Sequence, residues 1–400
     1  MKKISLLIGS GFSVPAGYPT TTQINDRLHK IDASEICVHT SREAWFLNGK
    51  SDPNAFWMGV EERQFVQEFL EFYNSKVLRT GEKFHYETFY DYYISAYRTQ
   101  SYSDDLAKFL DGFRVRNKVI SDAHHVLMEF NDTFSQLLAE LLKKPIEHVH
   151  KCKPYDPKYN DFLLMLEDIA KNHTVQIHTL NHDVFFEQFA LTDTIQGRMD
   201  DGFEDLGSNF YAKSYSEYAT YMVRLRRFVN KYEQPFCLYK LHGSIDNFWA
   251  SFGDQSALVK IPPGLSAYEI HMEFSKNGKI EYAHRRSDVL PEFLSGTTHK
   301  IERYQHGDYY PVLLRHFSDN LAESTSLIVV GYGFADSRIN SYIEECFLQD
   351  PRKALFIIDI KKPSIAYFER PNVYFLGTGV SIIDRTFILN NLANYEGAVA

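Results

Sequence analysis

Short apolar runs recur along the chain, and each ends in a polar or glycine-rich cluster. Ile4–Ile8 precedes Gly9-Ser10-Gly11, Thr174–Leu180 precedes Asn181-His182-Asp183, and Cys237–Leu241 precedes His242-Gly243. Ser326–Val330 precedes Gly331-Tyr332-Gly333, Ala354–Ile358 precedes Asp359, and Val373–Leu376 precedes Gly377-Thr378-Gly379. Runs that are apolar at nearly every position suit strands covered on both faces. Helical spacing separates several of them, as in Phe162, Met165, Leu166 and Ile169 ahead of the second run. The pattern predicts an α/β fold built on a Rossmann-like parallel sheet. In such sheets ligands bind outside the carboxyl ends of the strands, where every cluster just named would stand.

Residues 35–150 show no strand signal. Phe65, Phe69, Phe72 and Tyr73 recur at helical spacing, as do Phe134, Leu137, Leu138 and Leu141. This stretch reads as a helical insertion whose aromatic stripe forms core or subunit contacts. A polar, Gly/Pro-punctuated region at about 250–310 reads as a smaller insert with hairpins. The expected organisation is one discontinuous sheet domain, 1–34 and 151–400, with 35–150 inserted into it. The surplus of aromatics in the insertion predicts a homo-oligomer.

Composition narrows the class. The 400 residues are 44% hydrophobic, ample for a core, and the net charge of −9 argues against a general nucleic-acid-binding surface. No run approaches the ~20 apolar residues of a membrane span. Ile4–Ile8 is too short for the apolar region of a signal peptide. The four cysteines are far apart and form no CxxC, so neither a zinc ribbon nor a disulfide framework is expected. A cytoplasmic protein is the simplest expectation.

The clusters carry the candidate chemistry. Gly9 and Gly11 suit a tight turn after a strand, with Ser10, Ser13 and nearby amides facing a phosphate. A purely structural turn fits the same glycines, and Val14 breaks the sixth position of the dinucleotide fingerprint. Asn181 and Asp183 fit a turn as well as a site. His242 has the protonation range of a general base or, equally, of a buried structural ring. Asp359, at a strand end, would accept from a ribose hydroxyl. His148, His150 and Cys152 lie within five residues but lack a visible fourth ligand, so no metal site is expected. His284–Arg286 reads as a small basic surface spot.

Taken in order, Gly9-Ser10-Gly11-Phe12-Ser13, Thr179-x-Asn181-x-Asp183, His242-Gly243-Ser244 and Gly331-Tyr332-Gly333 resemble the motifs of the sirtuin NAD-binding domain. The resemblance covers the sheet-forming parts and skips the helical insertion. It implies that NAD is bound as substrate, by Gly9, Ser10, Gly11, Phe12, Ser13, Gly331 and Gly333, with Asp359 joining them on the strand-end argument. Asn181, His242 and Asp183 are then the catalytic set. Protein-deacylating sirtuins carry a four-cysteine zinc module and a G-I-P-D-F-R stretch. This chain cannot build the first, and has Gly17-Tyr18-Pro19-Thr20-Thr21-Thr22 in place of the second. The pattern looks more like the sirtuin-like NAD hydrolases of bacterial antiphage defence, particularly the partner of a HerA-type hexameric ATPase. The alternatives are an NAD-dependent protein deacylase and a non-catalytic scaffold sensing NAD or ADP-ribose. Loss of nicotinamide leaves an electron-deficient ribosyl centre. Asn181 would hold a ribose hydroxyl or the attacking water, and His242 would serve as base. Asp183 would orient one of them or cap the next helix.

Overall fold

The computed structural model describes residues 2–39, 43–47, 59–143, 157–204, 206–215, 219–252, 255–262, 265, 270–285, 290–293, 309–365 and 369–397. Seven strands form its main sheet: β1 Lys2–Ile8, β2 His173–Thr179, β3 Met199–Asp200, β4 Phe236–Lys240, β5 Ser324–Val330, β6 Ala354–Ile358 and β7 Val373–Leu376. Six of them coincide with the apolar runs. The two-residue β3 is too short to leave a pattern. The order across the sheet is β7-β6-β5-β1-β2-β4-β3, and all pairings are parallel.

Both faces of this sheet are covered, which explains why most positions of β1, β4, β5 and β6 are apolar; β2 is mixed, with Gln176 and His178 buried beside Val175 and Ile177. Ile4, Leu6, Ile8, Val175, Ile177, Leu238, Ile328 and Phe356 turn to one face. They pack there against α6 (Asn160–Ala170), through Phe162, Met165, Leu166 and Ile169. Leu7, Tyr239, Leu327, Val329 and Ile357 turn to the other face and meet Leu313, Leu314, Phe317 and Leu321 of α7 (Tyr310–Glu323). Each of these side chains contributes about 1.5–3 kcal/mol of burial, so truncating fully buried Phe162 to Ala would cost about 3–5 kcal/mol.

α1 (Thr21–Leu28) begins at the expected hydroxyl cluster. Thr20 accepts the Gln23 amide while the Gln23 side chain accepts the Thr20 amide, a reciprocal cap. The region that follows is helical: α2 Val60–Phe72, α3 Tyr86–Thr99, α4 Asp104–Asn117 and α5 Ala123–Leu142. Its aromatic stripes meet in a core of their own, with Phe65–Phe113, Phe69–Phe130 and Tyr93–Phe130 each at 4.9 Å between ring centroids, edge to face.

Two expectations need correction. A hairpin, Ile36–Val38 with Ala44–Phe46, lies in the stretch that showed no strand signal. Its three-residue strands cannot display a period. The smaller insert also does not begin near residue 250. Strands Phe203–Glu204, Phe210–Tyr215, Thr220–Arg224 and Arg226–Phe228 precede β4 and join Asn247–Phe252, Gln255–Lys260, Ile270–Lys276 and Lys279–Arg285 in two four-stranded antiparallel sheets. Thr220–Arg224 has no fully buried residue and is too short for a burial period to show. No helix among the described residues is long and apolar enough to cross a membrane.

Candidate functional site

The chain runs from β1 outward through β2 to β4, then returns to start β5 on the other side of β1. The strand order therefore reverses between β1 and β5, the position where open α/β sheets leave a crevice. A cavity of about 420 Å³ stands at the carboxyl ends of β5, β1, β2 and β4. Gly9, Ser10 and Ser13 reach it from the loop after β1, and Asn181, His182 and Asp183 from the loop after β2. His242 follows β4, while Gly331, Tyr332, Gly333 and Asp336 follow β5. The far wall comes from Tyr18, Ile24, Tyr86, Glu87 and Leu142, so the helical lobe closes one side. Volume and mixed lining fit a small-molecule site.

Gly11, Phe12 and Asp359 were expected to bind here, yet they do not line the cavity. The chain after Gly9 folds into a tight helical turn, Ser10–Phe12, which drives the Phe12 ring into the core. It packs edge-on to Tyr159 and Phe162, with centroids 5.1 and 5.0 Å away. Asp359 follows β6, beyond the four strands that build the cavity, and its carboxylate accepts the Lys361 amide at 2.9 Å.

The glycines are required by packing, the structural role that the same turn had allowed. A Cβ on Gly9 would stand 2.5 Å from the Gly331 carbonyl oxygen, and one on Gly11 would stand 2.9 Å from the Gly331 Cα. Gly331 has φ +63°, and its own Cβ would strike the Phe12 nitrogen and the Gly11 carbonyl carbon. Two strand-end loops thus pack backbone against backbone. Their amides are engaged there: Gly9 donates to Val330 O at 3.0 Å, Gly11 to Gly331 O at 2.9 Å and Phe12 to Gly9 O at 3.0 Å. Gly333 differs, for a Cβ there would meet open space.

Asn181 is held by the same loop. Its amide nitrogen donates to Gly9 O and to the Ser13 hydroxyl, both at 3.0 Å. These two bonds use both amide hydrogens and set the orientation of the group, leaving Oδ1 as an acceptor. Ser13 in turn hydrogen-bonds the Asp183 carboxyl. Asp183 therefore reaches Asn181 through Ser13, and it also accepts the Phe185 amide at 3.0 Å, closing the turn. Burial pushes the Asp183 carboxyl up, against the pull of Lys240, the Phe185 amide and Ser13. Lys240, itself buried, donates to the Asp183 carbonyl and pairs with Glu187 at 3.2 Å, tying β4 to the β2 loop.

His242 is 4% exposed, with Nε2 standing 3.3 Å from Oδ2 of Asp336. The carboxylate beside the ring is thus Asp336, not Asp183. Sequence reasoning passed over Asp336, although an Asp directly before Ser337-Arg338-Ile339 carries the mark of a helix N-cap. Glu187, the partner of Lys240, links that pair to a second buried charged group, standing 3.7 Å from Lys260. Lys260 pairs with Asp201 at 2.7 Å, and Arg226 pairs with Asp201 at 2.6 Å. Burial alone would raise the Asp201 carboxyl, but the two cations outweigh it and hold the pKa at about 2.

Among the described residues no three His, Cys, Asp or Glu side chains are grouped so as to hold a metal ion. His148, His150 and Cys152 lie outside the described residues, as does Arg286.

No family model and no curated protein matches the chain. Solved structures similar to it include a Sir2 homologue in complex with NAD, at 11% identity and a TM-score of 0.37, covering 100% of this chain and 91% of that one. Another is a mutant Sir2 homologue with ADP-ribose, at 12% identity and a TM-score of 0.36, covering 100% and 93%. A third, described as a structural basis for the mechanism and regulation of Sir2 enzymes, has 9% identity and a TM-score of 0.33, covering 99% and 94%.

Proposed function

We propose that the chain hydrolyses NAD, releasing nicotinamide and ADP-ribose. The observation that carries this reading is the pairing, in one cavity, of an Asn181 left with only an acceptor and the ring of His242. Nicotinamide leaves as a neutral molecule and needs no acid. The demand falls on the electron-deficient ribosyl carbon and on the water that adds to it. Asn181 Oδ1 accepts from that water or from a ribose hydroxyl, and His242 takes the proton that the water gives up. Ser10, exposed beside the cavity, and the open flank at Gly333 leave room for the diphosphate and adenosine parts.

The biological setting rests on the sequence resemblance: depletion of NAD as an antiphage effector in the cytoplasm, as a homo-oligomer regulated by a HerA-type hexameric ATPase. The test incubates the pure chain with NAD, with and without such a partner, and follows free nicotinamide. Release without an acylated peptide, surviving chelation in the partner-free reaction, supports hydrolysis. Peptide-dependent turnover would make the chain a deacylase. Binding without turnover, in both the presence and the absence of partner, would make it a sensor. Sedimentation tests the oligomer, and a monomer at micromolar concentration in both settings would overturn it.

A further inference from the structure

We infer that Asp336 is the positioning residue of His242: its carboxylate selects which ring nitrogen carries hydrogen and stabilises the imidazolium formed in turnover. This inference rests on the reading of His242 as the base of NAD hydrolysis. Asp336 has an ordinary structural duty, capping α8 (Ser337–Tyr342), and its division of labour is informative. Oδ1 accepts the amides of Arg338 at 3.0 Å and Ile339 at 3.2 Å. Oδ2 takes no part in that cap and stands 3.3 Å from His242 Nε2. The backbone of Asp336 is fixed as well, with its amide donating to the Tyr332 hydroxyl at 3.2 Å. Rotating the carboxylate away from the ring would break the cap, so the helix start holds Oδ2 in place.

The chemical consequence follows from donor and acceptor types. An ionised carboxylate only accepts, so as Nε2 and Oδ2 close from their 3.3 Å contact into a hydrogen bond, Nε2 carries the hydrogen and Nδ1 keeps the lone pair. Nδ1 then accepts the proton of the attacking water as the new C–O bond forms and the bond to nicotinamide breaks. The resulting imidazolium stands beside Asp336, with 5% and 15% side-chain exposure for ring and carboxylate, where solvent screens the attraction little. Later the proton passes to solvent.

Among the described residues, His182, Tyr310, Glu292 and Lys240 also stand on elements next to the ring. His182 approaches from the end of β2 with centroids 6.0 Å apart, and it adds no negative charge. Tyr310 of α7 and the backbone of Glu292 pack at Gly243, and Lys240 lies two residues back on β4.

Asp336→Asn and Asp336→Ser test the idea in the full chain, because both keep an oxygen suited to the helix cap. Histidine labelled with 15N, with the His242 signal identified through its loss in His242→Ala, reports ring tautomer and pKa without any substrate. In the wild type the neutral ring is expected to carry its hydrogen on Nε2. In both variants the pKa should fall by about one unit or more, since a facing carboxylate favours the charged ring. Turnover should fall on the order of 10–100-fold with KM little changed, within what a general base contributes, and the acid limb of kcat should move to lower pH. A merely structural Asp336 would instead lower the melting midpoint, leave the His242 pKa and tautomer in place, and let activity follow the folded fraction. That result overturns the inference. If the pKa moves but neither wild type nor variant releases nicotinamide, with or without the ATPase partner, the hydrolase reading falls and the Asp336–His242 pairing stands.

Discussion

Replacing Asn181 by Ala separates what this residue does for the fold from what it does for the reaction. The substitution removes two hydrogen bonds, to Gly9 O and to Ser13 Oγ. Neither partner is orphaned. Gly9 O still accepts the Phe12 amide, and Ser13 still bonds the Asp183 carboxyl. The loss is therefore two net hydrogen bonds at about 1 kcal/mol each, with no unsatisfied buried group added. For a chain of 400 residues unfolding as one unit, about 2 kcal/mol lowers the midpoint by only ~2 °C. On the proposed reading turnover has much further to fall, because the acceptor held in the cavity is gone. A preorganised polar group of this kind is worth on the order of 10²–10³ in rate. At 25 °C nearly all of the variant remains folded, so unfolding cannot account for a loss of that size. Calorimetry and nicotinamide release on one preparation decide the matter. Hydrolysis near the wild-type rate with an almost unchanged midpoint would remove Asn181 from the chemistry. A large drop in midpoint with activity following it would make the residue a loop anchor.

Other substitutions probe the remaining links. His242→Ala should cost on the order of 10²–10⁴ in turnover, and its double mutant with Asn181→Ala should lose less than the product of the two, since groups acting on one step are not additive. Gly331→Ala places a side chain at φ +63° against the Phe12 nitrogen and the Gly11 carbonyl. It should destabilise by at least about 1–3 kcal/mol and separate the two loops, and an unchanged melting curve would contradict the packing described here. Asp201 has a pKa held at about 2 by Lys260 and Arg226, below its unfolded 3.8, so it stabilises the fold above pH 4 by about 2 kcal/mol. That contribution disappears as pH falls from 4 toward 2. Asp201→Asn should flatten this limb of an acid titration followed by circular dichroism, and a limb of unchanged slope would show that the buried pairs contribute nothing to it.

The chain's hydrophobic pattern alone specifies the sheet. Six of its seven strands are legible because burial on both faces favours short apolar runs, although β2 carries Gln176 and His178 within its run. The clusters after them also mark the carboxyl edge, since a parallel sheet places all such ends together. Ser13, Asn181, Asp183 and His242 thus reach one cavity from the ends of three strands far apart in sequence. The sequence could not say which way each side chain turns. A glycine beside a phosphate and a glycine beside another loop look identical in one dimension, and only the close approach of Gly9, Gly11 and Gly331 reveals the packing of one loop on the other. The same limit hid the core position of Phe12, because the turn that buries it is a three-dimensional event. It hid Asp336 as well. A helix-capping aspartate is a local signal, but its second oxygen meets His242 only because the loops after β5 and β4 converge across the reversal in strand order, from 94 residues apart in the chain. Side-chain partners across that distance are set by packing, which no local pattern encodes.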